Sequence, residues 1–259
     1  MTVGLESTLR ARRDSGRKLL VPYVTGGLGS DWLDVVRAYA ANGADAIEIG
    51  LPFSDPVMDG PTIQAASQRA LDQGANPVSI INALGSVDVD VPLVVMTYYN
   101  VVFRSGHRRF AATLDANGVA GAIVPDLPLE ELEDWARAAD EGGVETVLLA
   151  SPVTPDDRLA RLVARSRGFI YGVGLMGVTG ERDAVAASAI VIARRLKAIT
   201  DLPVIIGFGV STPSHAAELA TEADGVVVAS ALMRKLLDGA GPNELGTMVA
   251  ELRRALDAA

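Results

Sequence analysis

Short apolar runs rich in β-branched residues recur along this chain at helix-sized intervals. Strands are predicted at Leu19–Thr25, Ala46–Gly50, Leu93–Tyr98, Gly121–Pro125, Thr146–Ala150, Phe169–Val173, Val204–Phe208 and Gly225–Ala229. Between them lie segments with helical spacing of apolar positions, such as Trp32–Ala41, Leu129–Glu141, Pro155–Arg165 and Ser214–Ala220. The strand runs are nearly continuous rather than alternating, as parallel strands covered on both faces require. Eight such βα units in 259 residues match an α/β fold of the (β/α)8, or TIM-barrel, type. The rival is a doubly wound open sheet, but the first strand-to-helix turn, Thr25-Gly26-Gly27-Leu28-Gly29-Ser30, matches GxGxxG poorly. Two segments stand outside the repeat: Glu6–Ser15, an extra N-terminal helix suited to cap the barrel bottom, and Pro77–Leu84 before the third strand. No Pro/Gly/Ser linker divides the chain, so a single domain over residues 1–259 is expected.

One position breaks the apolar pattern. Glu48 sits inside the run Ala46-Ile47-Glu48-Ile49-Gly50, and a second acid, Asp59, follows in the loop after it. Desolvating an ionised carboxylate costs several kcal/mol unless partners compensate, so Glu48 is either a paired structural acid or a catalytic acid/base. Barrel chemistry sits at the C-terminal ends of the strands. The residues found there include Tyr23, Thr25, Glu48, Tyr98, Asn100, Asp126, Tyr171, Phe208, Gly209 and Ser230, with no histidine or lysine among them.

Composition narrows the chemistry further. The net charge of -9 argues against a nucleic-acid groove or an anionic membrane surface as partner. The absence of cysteine removes disulfides, thiolate nucleophiles and sulfur-ligated metals. Met1 to Leu20 has no apolar core of signal-peptide length, and no run reaches the roughly 18 apolar residues of a membrane span, so a cytoplasmic protein is expected. The three lysines, Lys18, Lys197 and Lys235, lie before a strand or in helical segments, away from any Schiff-base position. The two histidines, His107 and His215, fall near helix starts as solvated residues, without HxH or HExxH spacing, so no metal site is expected. Carboxylates are left to move the protons.

Glycine-rich loops cluster at the end of the chain: Tyr171-Gly172-Val173-Gly174-Leu175-Met176-Gly177-Val178-Thr179-Gly180, then Gly207-Phe208-Gly209-Val210-Ser211, then Val228-Ala229-Ser230-Ala231. Barrels often bind phosphate with the loops after strands seven and eight and a helix N-terminus, where backbone N–H groups approach the oxygens. The same residues also read as a tight turn and, at Ser230, a plain N-cap. The Gly172–Gly180 loop reads either as a lid or as a merely flexible segment. Arg182 and Asp183 beyond it read as a solvated pair.

Taken together, Pro22-Tyr23-Val24-Thr25, Ala44-Asp45-Ala46-Ile47-Glu48-Ile49-Gly50, Pro52-Phe53-Ser54-Asp55-Pro56, Asp59-Gly60-Pro61-Thr62-Ile63-Gln64, Met96-Thr97-Tyr98-Tyr99-Asn100 and the Gly177 and Gly207 loops resemble the α subunits of tryptophan synthase over essentially the full length. The Glu48-to-Gln64 block carries most of that specificity. The resemblance implies retro-aldol cleavage of indole-3-glycerol phosphate to indole and glyceraldehyde 3-phosphate. It makes Glu48 the acid/base, Asp59 the acceptor of the indole N–H, and Tyr171 the tyrosine beside the catalytic glutamate. Thr179 becomes the lid threonine that meets Asp59. Tyr23, Tyr98, Ile123 and Phe208 become indole-pocket residues, and Gly180, Gly209 and Ser230 the phosphate cradle. It also implies a β-subunit partner in an α2β2 complex, contacting the loop at Asp55, Pro56 and Met58. Pyridoxal phosphate would then belong to that partner, with no cofactor in this chain.

Three departures touch lid and phosphate rather than the reaction: Leu28 where relatives carry Asp-Pro, Ala229 where glycine is common, and Gly174-Leu175 where an arginine is usual. The rival functions are a free-standing indole-3-glycerol phosphate lyase, a catalytically silent activating subunit, and another phosphate-binding barrel such as a sugar-phosphate isomerase.

Overall fold

A computed structural model describes residues 4–174, 182–207 and 209–259, with side chains in the helix that begins at residue 182 described from residue 187 onward. Among these, eight parallel strands close on themselves in chain order: β1 (Leu19–Thr25), β2 (Ile47–Gly50), β3 (Leu93–Met96), β4 (Val119–Ile123), β5 (Glu145–Ala150), β6 (Ile170–Gly172), β7 (Val204–Ile206) and β8 (Gly225–Val228). Closure excludes the open sheet. β1 pairs β8 with Leu19 against Gly225, and β2 with Tyr23 against Glu48.

Inward-facing Leu19, Val21, Ala46, Val94, Ala120, Ile123, Val147, Phe169, Ile205 and Val227 fill the barrel. Outward-facing strand residues join the surrounding helices in a second, larger apolar cluster. Both faces of each strand are therefore buried, which is why β1 is buried along its whole length. The helices around it include α1 (Leu5–Asp14), α2 (Trp32–Ala41), α3 (Pro61–Asp72), α4 (Pro77–Leu84), α5 (Tyr99–Ser105), α6 (His107–Ala116) and α7 (Glu133–Glu141). They continue with α8 (Asp156–Arg165), α9 (Arg182–Lys197), α10 (Pro213–Ala220), α11 (Ser230–Leu237) and α12 (Pro242–Asp257).

The bottom of the barrel is closed by α1, whose Leu5 and Leu9 join the interior cluster. Its first N–H groups, those of Leu5 and Glu6, donate to the two carboxylate oxygens of Glu145 on β5 at 3.0 and 2.8 Å. Buried Asp45 ties the same end together, accepting from Arg12, Arg17, Arg253 and the Leu20 N–H. Such a carboxylate is tolerated because each lone pair finds a donor. The fold thus spends its stabilising polar links at the bottom and leaves the top for chemistry.

Several predicted boundaries shift. Strands were expected to run through Tyr98, Phe208 and Ala229, whereas β3, β7 and β8 end at Met96, Ile206 and Val228. β4 starts two residues earlier than expected, at Val119, where the β3–β4 register slips beside Leu93. The single helix expected over Leu129–Glu141 splits into a 3-10 turn at Leu129–Glu131 and α7. Among the described residues, no helix is long and apolar enough to cross a membrane.

Candidate active site

At the C-terminal end of the barrel, β2 delivers Glu48 into an apolar interior. The residue is 4% exposed, and its Oε2 has no hydrogen-bond partner among the described residues. An unpartnered buried carboxylate favours its neutral form. Burial, and secondarily the charge of Asp59, pushes Glu48 up to about 8. This separates it from Asp45, which is as buried but fully paired. Asp59 lies on the loop between β2 and α3, and burial raises its pKa too, opposed by a hydrogen bond from Tyr98. Tyr98 donates to Asp59 Oδ2 at 3.1 Å and accepts from the Met58 N–H at 3.0 Å. Its ring stacks on Phe53, with centroids 5.0 Å apart.

Two phenols flank Glu48. Tyr23 lies beside it in register, and Tyr171 on β6 also feels its charge; burial raises the pKa of each. Both rings need space that a side chain at the end of the next strand, or just past it, would occupy. A Cβ at Gly50 would fall 1.8 Å from the Tyr23 hydroxyl, and one at Gly207 would fall 2.0 Å from the Tyr171 ring. Both positions are glycine for that reason. The Tyr171 hydroxyl donates weakly to the Gly207 carbonyl at 3.5 Å.

Ile123 ends β4 inside the barrel, 2% exposed. Gly209 takes φ +80° in the turn after β7. Ser230 is the first residue of α11 rather than its N-cap, which is Ala229 at φ -116°. Alanine is therefore unstrained there, so this departure from the expected glycine leaves the backbone path intact. Thr179, Gly180 and Phe208, with Leu175 and the rest of the loop past Gly174, lie outside the described residues. So do the Arg182 and Asp183 side chains.

A surface groove of about 530 Å³ between α6 and α7 touches none of these groups. The chemistry belongs to the strand ends. Among the described residues, no group of three or more carboxylates and imidazoles has metal-holding geometry. The histidines are not simply solvated: His107 meets the Tyr99 hydroxyl at 3.1 Å and packs on Trp135, and His215 pairs with Ser211.

Residues 9–257 match the family model described as tryptophan synthase alpha chain. The chain belongs to the tryptophan synthase alpha chain family. The tryptophan synthase alpha chain of Thermobifida fusca is 43% identical over 244 residues, covering 92% of this chain and 90% of that one. Among solved structures, tryptophan synthase subunit alpha from Legionella pneumophila superposes with a TM-score of 0.88 at 29% identity over 98% of both chains. A chain of Mycobacterium tuberculosis tryptophan synthase superposes with a TM-score of 0.85 at 36% identity over 99% of both. As a member of this family, the chain is a carbon-carbon lyase of tryptophan biosynthesis. It catalyses the α reaction, the cleavage of indole-3-glycerol phosphate to indole and glyceraldehyde 3-phosphate. The free-standing, silent and other-barrel alternatives are not favoured.

Sequence reasoning missed three features. Phe53 as the stacking partner of Tyr98 carries no signal beyond being aromatic. Asp126, noted only as a strand-end acid, accepts the Tyr99 N–H at 2.8 Å and so holds the start of α5. Phe103 and Val153, 64% and 69% exposed after β3 and β5, join Val57 and Met58 on the rim that carries the site.

Proposed function

We propose that Glu48 carries both proton transfers of the α reaction. Protonated at neutral pH, it delivers its proton to the indole C3 of indole-3-glycerol phosphate, leaving positive charge on the ring nitrogen. The resulting carboxylate removes the proton of the adjacent glycerol hydroxyl. The C–O bond becomes a carbonyl, the C–C bond breaks, and its electron pair returns to the ring. Indole and the aldehyde leave with Glu48 reprotonated, so the cycle balances without a cofactor in this chain.

Asp59 accepts the ring N–H and stabilises its developing charge. Tyr171 sits beside Glu48. Tyr23, Tyr98, Ile123 and Phe208 enclose the ring. Thr179 meets Asp59, while Gly180, Gly209 and Ser230 hold the phosphate through N–H groups and the serine hydroxyl. The observation that carries this reading is the unpartnered, buried Glu48 oxygen with its raised pKa.

A β subunit carrying pyridoxal phosphate docks, in this reading, on the rim at Asp55, Pro56 and Met58, in an α2β2 assembly working in the cytoplasm. The apolar rim supports that docking. Residues 1–259 act as one folding unit.

Glu48→Gln tests the central role. It keeps the shape and removes the titration, so indole release from indole-3-glycerol phosphate should fall at least about 10²-fold while the melting temperature does not drop below wild type. Turnover near the wild-type rate would remove Glu48 from the proton path.

A further inference from the structure

The loop that carries Asp59 runs through residues 51–60 without regular structure, between the end of β2 and the start of α3. Hydrogen bonds to a charged acceptor lose value steeply with misplacement, and catalytic groups need holding within a fraction of an ångström. From its own loop and the helix that follows, the support among the described residues is the Gln64 amide of α3 donating to the Asp59 backbone carbonyl at 2.8 Å. That bond fixes the chain but not the carboxylate.

The carboxylate is fixed from the neighbouring strand. Tyr98, two residues past β3 and 2% exposed, spends its hydroxyl on two consecutive loop residues, accepting from the Met58 N–H and donating to Asp59 Oδ2. The Phe53 ring, at the other end of the same loop, lies stacked at 21° on the Tyr98 ring. One side chain therefore clamps the loop at both ends. We propose that Tyr98 is a positioning residue for the α reaction: its hydroxyl turns the Asp59 carboxylate so that Oδ1 is presented to the substrate ring N–H. This goes beyond ring packing in the indole pocket, and it rests on the reading of Asp59 as the N–H acceptor.

The hydroxyl also favours the ionised acid against burial. The other titratable groups acting there are Glu48, Tyr23 and Tyr171 from β2, β1 and β6, with Asp126 beyond Tyr98. All are acids or phenols, so none supplies the positive charge that would replace Tyr98.

The test is steady-state indole release by the full chain carrying Tyr98→Phe, which keeps the ring and its stack. kcat should fall about ten- to a hundredfold, the range for losing a hydrogen bond to a charged group, while KM changes less than about threefold. The acid limb of kcat/KM should move up, because Asp59 loses the donor that holds it ionised. In the slow Asp59→Asn background, the same change should have almost no further effect.

A wild-type kcat and acid limb in Tyr98→Phe, with Asp59→Asn severely slowed, would overturn the clamp alone. Full additivity in the double variant would also overturn it. A wild-type rate in Asp59→Asn would overturn the N–H acceptor reading, and the clamp with it. Should Tyr98→Phe not fold, 3-fluorotyrosine at 98, nearly the same size and a stronger donor, should move the acid limb down; an unmoved limb overturns the proposal.

Discussion

Glu48 holds its proton at neutral pH because burial penalises the carboxylate more than any neighbour does. That has a consequence for stability whose sign is set by linkage. The ordinary value is 4.5 and the folded value about 8, so the native state binds this proton more tightly than the unfolded chain. The contribution is fully present below about pH 4.5 and is lost as pH rises through about 8. Glu48→Gln does not titrate, so it should gain on wild type across that window, by an amount on the order of a few kcal/mol at pH 9. Urea unfolding of the two proteins at pH 5 and pH 9 measures it; a stability difference that does not change with pH would mean that Glu48 is paired in solution. Glu48 itself was legible in the sequence, since an acid in a strand-like apolar run has few explanations. The rooms made by Gly50 and Gly207 were not, because the rings that fill them come from other strands.

At the scale of elements, apolar runs located all eight strands, and their errors fall mainly at the top of the barrel. Tyr98 and Ala229 extend the apolar pattern past the strand ends at Met96 and Val228, because residues that line the mouth of a barrel can be as apolar as those in its core. A pattern of hydrophobicity does not separate lining from packing. The bottom plug shows the complementary case. Glu6–Ser15 was expected as a capping helix, and α1 takes that place one residue earlier. Its docking depends on Glu145, a β5 residue 140 positions away that serves as its N-terminal cap. Glu145→Ala leaves the Leu5 and Glu6 N–H groups without acceptors and should cost about 1–2 kcal/mol. A shifted urea midpoint with an unchanged rate of indole release is the expected result. An unchanged midpoint would show that Leu5 and Leu9 alone hold the plug.

At the scale of the molecule, the barrel places buried Glu48 and a set of exposed apolar side chains at the same end. Val57, Met58 and Val153 lie in the loops after β2 and β5 and Phe103 in α5 after β3, so no stretch of sequence announces them as one surface. Only closure of the barrel brings them together. Exposed apolar side chains at the top of a chain with net charge -9 make this the face on which to test the proposed docking. Phe103 is the test residue, because it is the large aromatic of the group and aromatic anchors dominate interface energetics. Phe103→Asp places a charge where a β subunit would have to desolvate it, which should weaken association by about 2 kcal/mol or more, roughly thirtyfold in Kd. Titrating a tryptophan synthase β subunit into each protein while following indole release measures this directly. A half-maximal β concentration that moves up at least tenfold locates the docking rim at Phe103. One that does not move places the interface elsewhere on the face, at the Asp55–Met58 loop without its neighbour.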